Sequence, residues 1–173
     1  MGTRNLTKVI DKDNIVRVAQ YGQWDGYPEY TGKRILEFIS EYQMLDKIES
    51  SLVKARFITQ DEYDGLLKPY VNDEEMMTFE DGQTFATMYP SLTRDTGCDI
   101  LKVLVYSNDG IPLWDESDFE NDDLFCEGVY TLNYNTRTFI STYNGVSVSV
   151  SFDELPTAEN YLDSFKKLLT NVA

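Results

Sequence analysis

The sequence predicts one α+β domain on three observations. Short β-rich runs sit near both ends of the chain, helical periods fill the middle, and a further helical period closes it. At 173 residues, with 42% hydrophobic and 13% aromatic content, the chain supports one core and is short for two. Residues 1–173 are read as a single globular domain, with no internal repeat and no linker.

Residues 3–10 and 14–21 are runs rich in Val, Ile, Leu and Thr joined by the polar Asp11-Lys12-Asp13, the pattern of a hairpin. Ile35, Leu36, Phe38, Ile39, Tyr42, Leu45, Ile48 and Leu52 then recur at spacings of three and four, which predicts one amphipathic helix. Thr59 and Glu62 have the capping-box spacing and open a second helix over 60–70. Residues 78–93 read as one or two shorter helices, and 99–106 as either a helix or a buried strand, with helix preferred.

Gly110, Pro112, Asn121 and many acids make 107–127 a long loop with little regular structure. Residues 129–133 and 138–143 flank a Tyr134-Asn135 turn as a second hairpin, and 146–150 alternate with the period of a strand. Ala158, Tyr161, Leu162, Phe165, Leu168, Leu169 and Val172 mark one face of a final helix. The expected sheet is antiparallel and pairs the N-terminal hairpin with the C-terminal strands, with the helices packed on it.

The run from Val18 to Pro28 is neither helix nor strand, because Gly22, Gly26 and Pro28 share it with Tyr21, Trp24 and Tyr27. It is either a structural corner or a binding loop. Folded back on the first strand, it places Arg4, Asn5, Tyr21, Gln23, Trp24, Asp25 and Tyr27 around a pocket, with Asp25 also suited to accepting hydrogen bonds within the turn.

Thirty acids against fifteen bases give a formal charge of -15, which disfavours direct contact with nucleic acid or anionic membranes and favours a basic partner. No Lys or Arg lies between Lys102 and Arg137, while Asp109, Asp115, Glu116, Asp118, Glu120, Asp122, Asp123 and Glu127 fall there. Arg4, Lys8, Lys12 and Arg17 give the N-terminal segment a mildly basic edge, set apart from this acidic face. Asp115, Glu116, Asp118, Phe119, Glu120, Asp122 and Asp123 form the candidate partner-binding stretch, in which carboxylates substitute for phosphates and aromatics act as anchors.

No His is present, which removes His-based catalytic triads and the commonest metal ligand. Cys98 and Cys126 form no CxxC pair, and the acidic stretch lacks the glycine and closing glutamate of an EF-hand, so no metal is expected. Neither a Walker loop nor GxGxxG appears, and no cofactor is expected. Two cysteines and no long apolar N-terminal run point to the cytoplasm.

The opening Gly2-Thr3-Arg4-Asn5-Leu6-Thr7, the run Val18-Ala19-Gln20-Tyr21-Gly22-Gln23-Trp24-Asp25-Gly26-Tyr27-Pro28, Gly32 and Ile35-Leu36-Glu37-Phe38 resemble a family of small phage and prophage proteins with fungal relatives. Fungal relatives usually carry Cys after the initiator Met, a feature of N-terminal-nucleophile (Ntn) hydrolases, whose fold layers helices on two sheets as αββα. Residue 2 is Gly here, so the resemblance implies an Ntn-like fold without its nucleophile. Together these readings point to a non-enzymatic viral accessory protein that inhibits a basic host defence protein, such as a ribonucleoprotein nuclease, in the manner of an anti-CRISPR. The alternative is an Ntn-like amide or peptide hydrolase, or a descendant that keeps only a small-molecule pocket.

Overall fold

The chain opens with an antiparallel hairpin of β1 (Asn5–Ile10) and β2 (Val16–Gly22) in the computed structural model, which describes residues 2–72, 74 and 76–170. Asp11 shapes the turn: its Oδ1 accepts the N–H groups of Asp13 and Ile15, each at 2.9 Å, while Asn14 takes a left-handed φ of 63°.

At the other end β5 (Gly128–Asn133), β6 (Thr138–Tyr143) and β7 (Val146–Ser151) form a meander. Its second turn is Asn144-Gly145, with φ of 46° and 77°, the two-residue geometry that matches strand twist. Its first turn extends past Tyr134-Asn135 to Arg137, with Asn133 Oδ1 accepting from the N–H groups of Asn135 and Thr136.

The two groups of strands join as expected, in the order β2-β1-β5-β6-β7, but the β1–β5 seam is parallel and the sheet is mixed rather than wholly antiparallel. The reason is topological. Between β2 and β5 the chain passes through the helices of the middle of the sequence and re-enters beside β1 running the same way, a connection that a parallel pair requires.

Register assigns the faces. Val9, Val18, Tyr130, Leu132, Phe139, Val146 and Val148 point to one side, where they form the core with α1 (Lys33–Ser40), α2 (Met44–Ser51), α5 (Ile100–Tyr106) and α6 (Ala158–Thr170). Tyr161 of α6 is 1% exposed and its hydroxyl donates to Ser141 Oγ or accepts from it at 2.8 Å. Val172, expected on the same face as Tyr161, lies outside the described residues.

The expected single helix over 35–52 is two, α1 and α2. Glu41 is extended with ψ 151° and Gln43 takes φ 58°, so the chain turns between them. The first half buries the anticipated Ile35, Leu36, Phe38 and Ile39, but the corner shifts the face of the second: Tyr42 is 85% exposed, Leu45 is only partly buried, and Met44 is buried with the anticipated Ile48.

Helix α3 (Gln60–Leu67) carries the capping box at Thr59 and Glu62, and the chain continues as a 3-10 turn to Tyr70. Helix α4 (Phe79–Met88) is followed by the turn Pro90–Leu92. Around Ile58, Phe85 and Leu92 a small satellite core forms, into which Trp114 packs against Tyr63.

Two short strands fall in segments read as non-strand: β3 (Ala55–Phe57) and β4 (Ile111–Leu113), paired in parallel. Just beyond β4, Asp115 bridges to Ala19 on the free edge of β2. Among the described residues this two-stranded ladder is the second sheet, and the residues beyond it, not a stacked layer of strands, cover the outer face of β1 and β2.

Candidate functional site

The run from Val18, expected to be neither helix nor strand, is strand as far as Gly22 and becomes helical at Pro28, because Val18, Gln20 and Tyr21 pair with β1. The loop proper is the stretch between, and it is built around Asn5. Its Nδ2 donates to Gly22 O at 3.4 Å and Trp24 O at 3.1 Å, and the glycines let the loop close on it. A Cβ on Gly22 would lie 2.7 Å from Asn5 Oδ1, and one on Gly26 would lie 2.7 Å from Asn5 Cβ. Gly26 N donates to Thr3 O at 2.9 Å, Tyr130 Oη donates to Gly26 O at 2.7 Å, and Thr31 Oγ1 donates to Asp25 O at 2.7 Å. Asp25 itself sits at φ 53°.

The loop is therefore a fixed corner at its base, yet it presents Trp24 to solvent, 55% exposed, with the indole N–H donating to Asp95 Oδ1 at 2.9 Å. Beneath Trp24 lies a cavity of about 300 Å³. Of the residues expected around it, Asn5, Gln23, Trp24 and Asp25 line it.

Arg4, Tyr21 and Tyr27 are placed elsewhere. Arg4 lies over the Phe125 ring at 4.6 Å, and Tyr21 turns to Phe119. Tyr27 Oη donates to Asp25 Oδ1 at 3.3 Å, and the charge of Asp25, followed by burial, raises the Tyr27 pKa. The far wall is made by Tyr30, Arg34, Asp95 and Asp99, which the sequence reading left out. Tyr30 and Arg34 are four apart, and that spacing was a usable signal, since the Arg34 guanidinium sits 5.1 Å from the Tyr30 ring centroid. Asp95 and Asp99 arrive from a distant segment, with Asp99 held by Arg34 at 2.6 Å and Lys102 at 3.1 Å.

The acidic segment is ordered by contacts at several points. Glu116 N donates to Ala19 O at 3.3 Å, Phe119 packs edge-on to Tyr21, and Lys8 pairs with Glu120 at 2.7 Å. A 3-10 turn spans Ser117–Asn121, so the stretch has more regular structure than its composition suggests. Lys8 and Arg4 clamp the acidic segment, so the basic edge and the acidic face, expected apart, are in contact.

Those contacts divide the candidate binding residues. Asp115 accepts from Ser117 N and Oγ, Asp122 caps the N–H groups of Leu124 and Phe125, Glu120 is paired, and Phe119 is half-buried as an anchor. Glu116, Asp118 and Asp123 have no cationic partner among the described residues, and Asp118 and Asp123 are exposed. Leu124, 76% exposed, and Phe125, 43% exposed, stand beside them.

Both cysteines are free, and burial pushes each thiol up to about 11, so they are protonated at neutral pH and poor nucleophiles. Among the described residues no three His, Cys, Asp or Glu side chains gather as metal ligands do, and no helix is long and apolar enough to cross a membrane. No family model, curated protein or solved structure matches the chain.

Proposed function

We propose that this protein is a non-enzymatic binding protein whose acidic segment occupies phosphate-binding sites on a basic, nucleic-acid-handling host protein, with inhibition of an RNA-guided nuclease as its concrete form. The observation that carries this reading is the clamped segment 115–125. Lys8, Tyr21 and Ala19 hold its inner side to the sheet, while Glu116, Asp118 and Asp123 remain unpaired next to exposed Leu124 and Phe125.

Such a surface joins carboxylates, which give rate and register, to apolar side chains, which give affinity. Ordering the segment before binding also lowers the entropy lost on association.

The hydrolase reading has less support. A nucleophile of the Ntn type needs a side chain, and a Cβ on Gly2 would collide with the Trp24 ring and lie 2.5 Å from Gln23 O. Room for one is missing.

The test is capture of host proteins at low and at elevated salt, comparing the natural chain with a Glu116→Lys, Asp118→Lys, Asp123→Lys triple variant. A basic nuclease or nucleic-acid-binding complex that the natural chain captures, that salt releases and that the variant fails to hold is the expected result. Equal retention by the variant, or capture of no basic protein, overturns the proposal.

A further inference from the structure

We infer that the cavity beneath Trp24 is a binding site for an organic cation, a guanidinium or primary ammonium group. It is distinct from the acidic segment and stands or falls without it.

The cavity's charge is unbalanced. Asp25, Asp95 and Asp99 face it with one guanidinium, Arg34, and that group is bound to Asp99. Asp25 and Asp95 receive only neutral donors, Tyr27 Oη and Trp24 Nε1, and no Lys or Arg among the described residues pairs with either. Two carboxylates on one concave surface of about 300 Å³ lack a cation.

A second, independent observation comes from the lining residue Asn5. It is 1% exposed, and its Nδ2 is engaged by the carbonyls of Gly22 and Trp24, which fixes the amide orientation. Its Oδ1 is left buried without a hydrogen-bond partner. Buried acceptors are normally satisfied, and an unpaired one beside a cavity calls for a donor. Carboxylates, a free amide oxygen and the aromatic Trp24 and Tyr30 together match a cationic head with several N–H groups and a flat or compact face. An anion would meet the uncompensated carboxylates and is excluded on charge.

The head group can come from a small free molecule or from an Arg or Lys side chain of a protein. Butylguanidinium, its neutral isostere butylurea and a blocked Gly-Arg-Gly tripeptide, titrated against the full chain by two-dimensional NMR, separate these cases. The expected result is saturable movement of the Trp24 indole and Asn5 amide signals with butylguanidinium and none with butylurea. Asp25→Asn and Asp95→Asn should each weaken binding about tenfold, the worth of one charge-assisted contact, whereas Asp61→Asn on α3 leaves it unchanged. Asn tolerates the left-handed backbone at residue 25, so folding is retained. Tighter binding of the tripeptide identifies a protein side chain as the source, and equal or weaker binding identifies a small molecule. Absence of saturable shifts, equal response to butylurea, or undiminished affinity in both Asp25→Asn and Asp95→Asn overturns the inference.

Discussion

Phe119 sets its ring edge-on to Tyr21, with 4.9 Å between centroids, and so places the acidic segment against a side chain that is bonded to the cavity's lining. Tyr21 Oη donates to Gln23 Oε1 at 2.7 Å, and Gln23 lines the cavity and also accepts from Arg94 at 2.7 Å. Two contacts in series thus run from Phe119 to the cavity's lining.

Phe119→Ala should loosen residues 115–125 without unfolding the domain. The ring is half-buried and outside the main core, so the expected loss is about 1–3 kcal/mol, below the cost of truncating a fully buried aromatic. Limited proteolysis should show a new cut within 115–125, and partner affinity should fall even though all carboxylates remain. Unchanged proteolysis would mean that Lys8 and Ala19 suffice as anchors.

The contact could not be read from sequence, because nothing local relates Tyr21 to Phe119. Elements with a clear period or cap were legible: the Asp11 hairpin turn, the Thr59 and Glu62 box, and the alternation of Val146, Val148 and Val150. The break at Gln43 was not, since neither Gly nor Pro marks it and the apolar spacing runs on across the corner. The parallel seam depends on how a long crossover returns, which local pattern does not encode. One wall of the cavity, with Asn5, Gln23, Trp24 and Asp25, was visible in the N-terminal motifs. The far wall includes Asp95 and Asp99, ordinary acids until the fold brings them opposite the loop.

Gly32 and Tyr161 should be coupled. A Cβ at residue 32 would collide with Tyr161 Oη and lie 3.0 Å from Tyr130 Cε1, so Gly32→Ala is expected to cost about 1–3 kcal/mol by overpacking. Tyr161→Phe removes the bond to Ser141, which is 0% exposed, and should cost a similar amount. Because the phenylalanine also removes the colliding atom, the double variant should lose less than the two single losses combined. Denaturant melts of all four proteins measure this, and simple additivity would refute the coupling.

Stability should fall at alkaline pH. Burial raises both thiols from 9.0 to about 11, and it raises Tyr130 and Tyr161 further. A raised pKa means the folded state holds its proton more tightly than the unfolded chain does. For the thiols, that contribution is complete below pH 9.0 and is lost as the pH rises through about 11. Melts should be flat from neutral pH to 9.0 and decline above it, and a thiol reagent should react slowly with the folded protein at neutral pH.

Asp11→Asn tests the first hairpin from the acid side. The N–H groups of Ile15 and Asp13 hold the Asp11 carboxyl below its usual pKa, with help from Arg17. Its contribution is thus present above the ordinary carboxylate pKa and is lost as the pH falls through the lower folded value. Asparagine keeps an acceptor oxygen but not the charge, so the expected loss is about 1 kcal/mol at neutral pH, shrinking on acidification. A loss that is constant with pH would assign the effect to turn geometry alone.

Trp24→Ala separates the two roles of the loop. The side chain is 55% exposed and rests on Gly2 and Asp95, whereas the base of the loop is held by Asn5, Tyr130 and Thr31, none of which the substitution touches. A buried tryptophan would cost about 3–5 kcal/mol on truncation. An exposed one with its loop anchored elsewhere should cost about 1 kcal/mol or less. The cavity, however, loses its aromatic wall and the donor that positions Asp95, so binding of butylguanidinium should weaken while the melt barely moves. Gly2→Ala gives the reciprocal test. Its added methyl pushes on the indole and on Gln23 O, so Trp24 emission should change in a protein that remains folded. If Trp24→Ala unfolds the domain instead, the loop is a core corner and the cavity is a by-product of its packing.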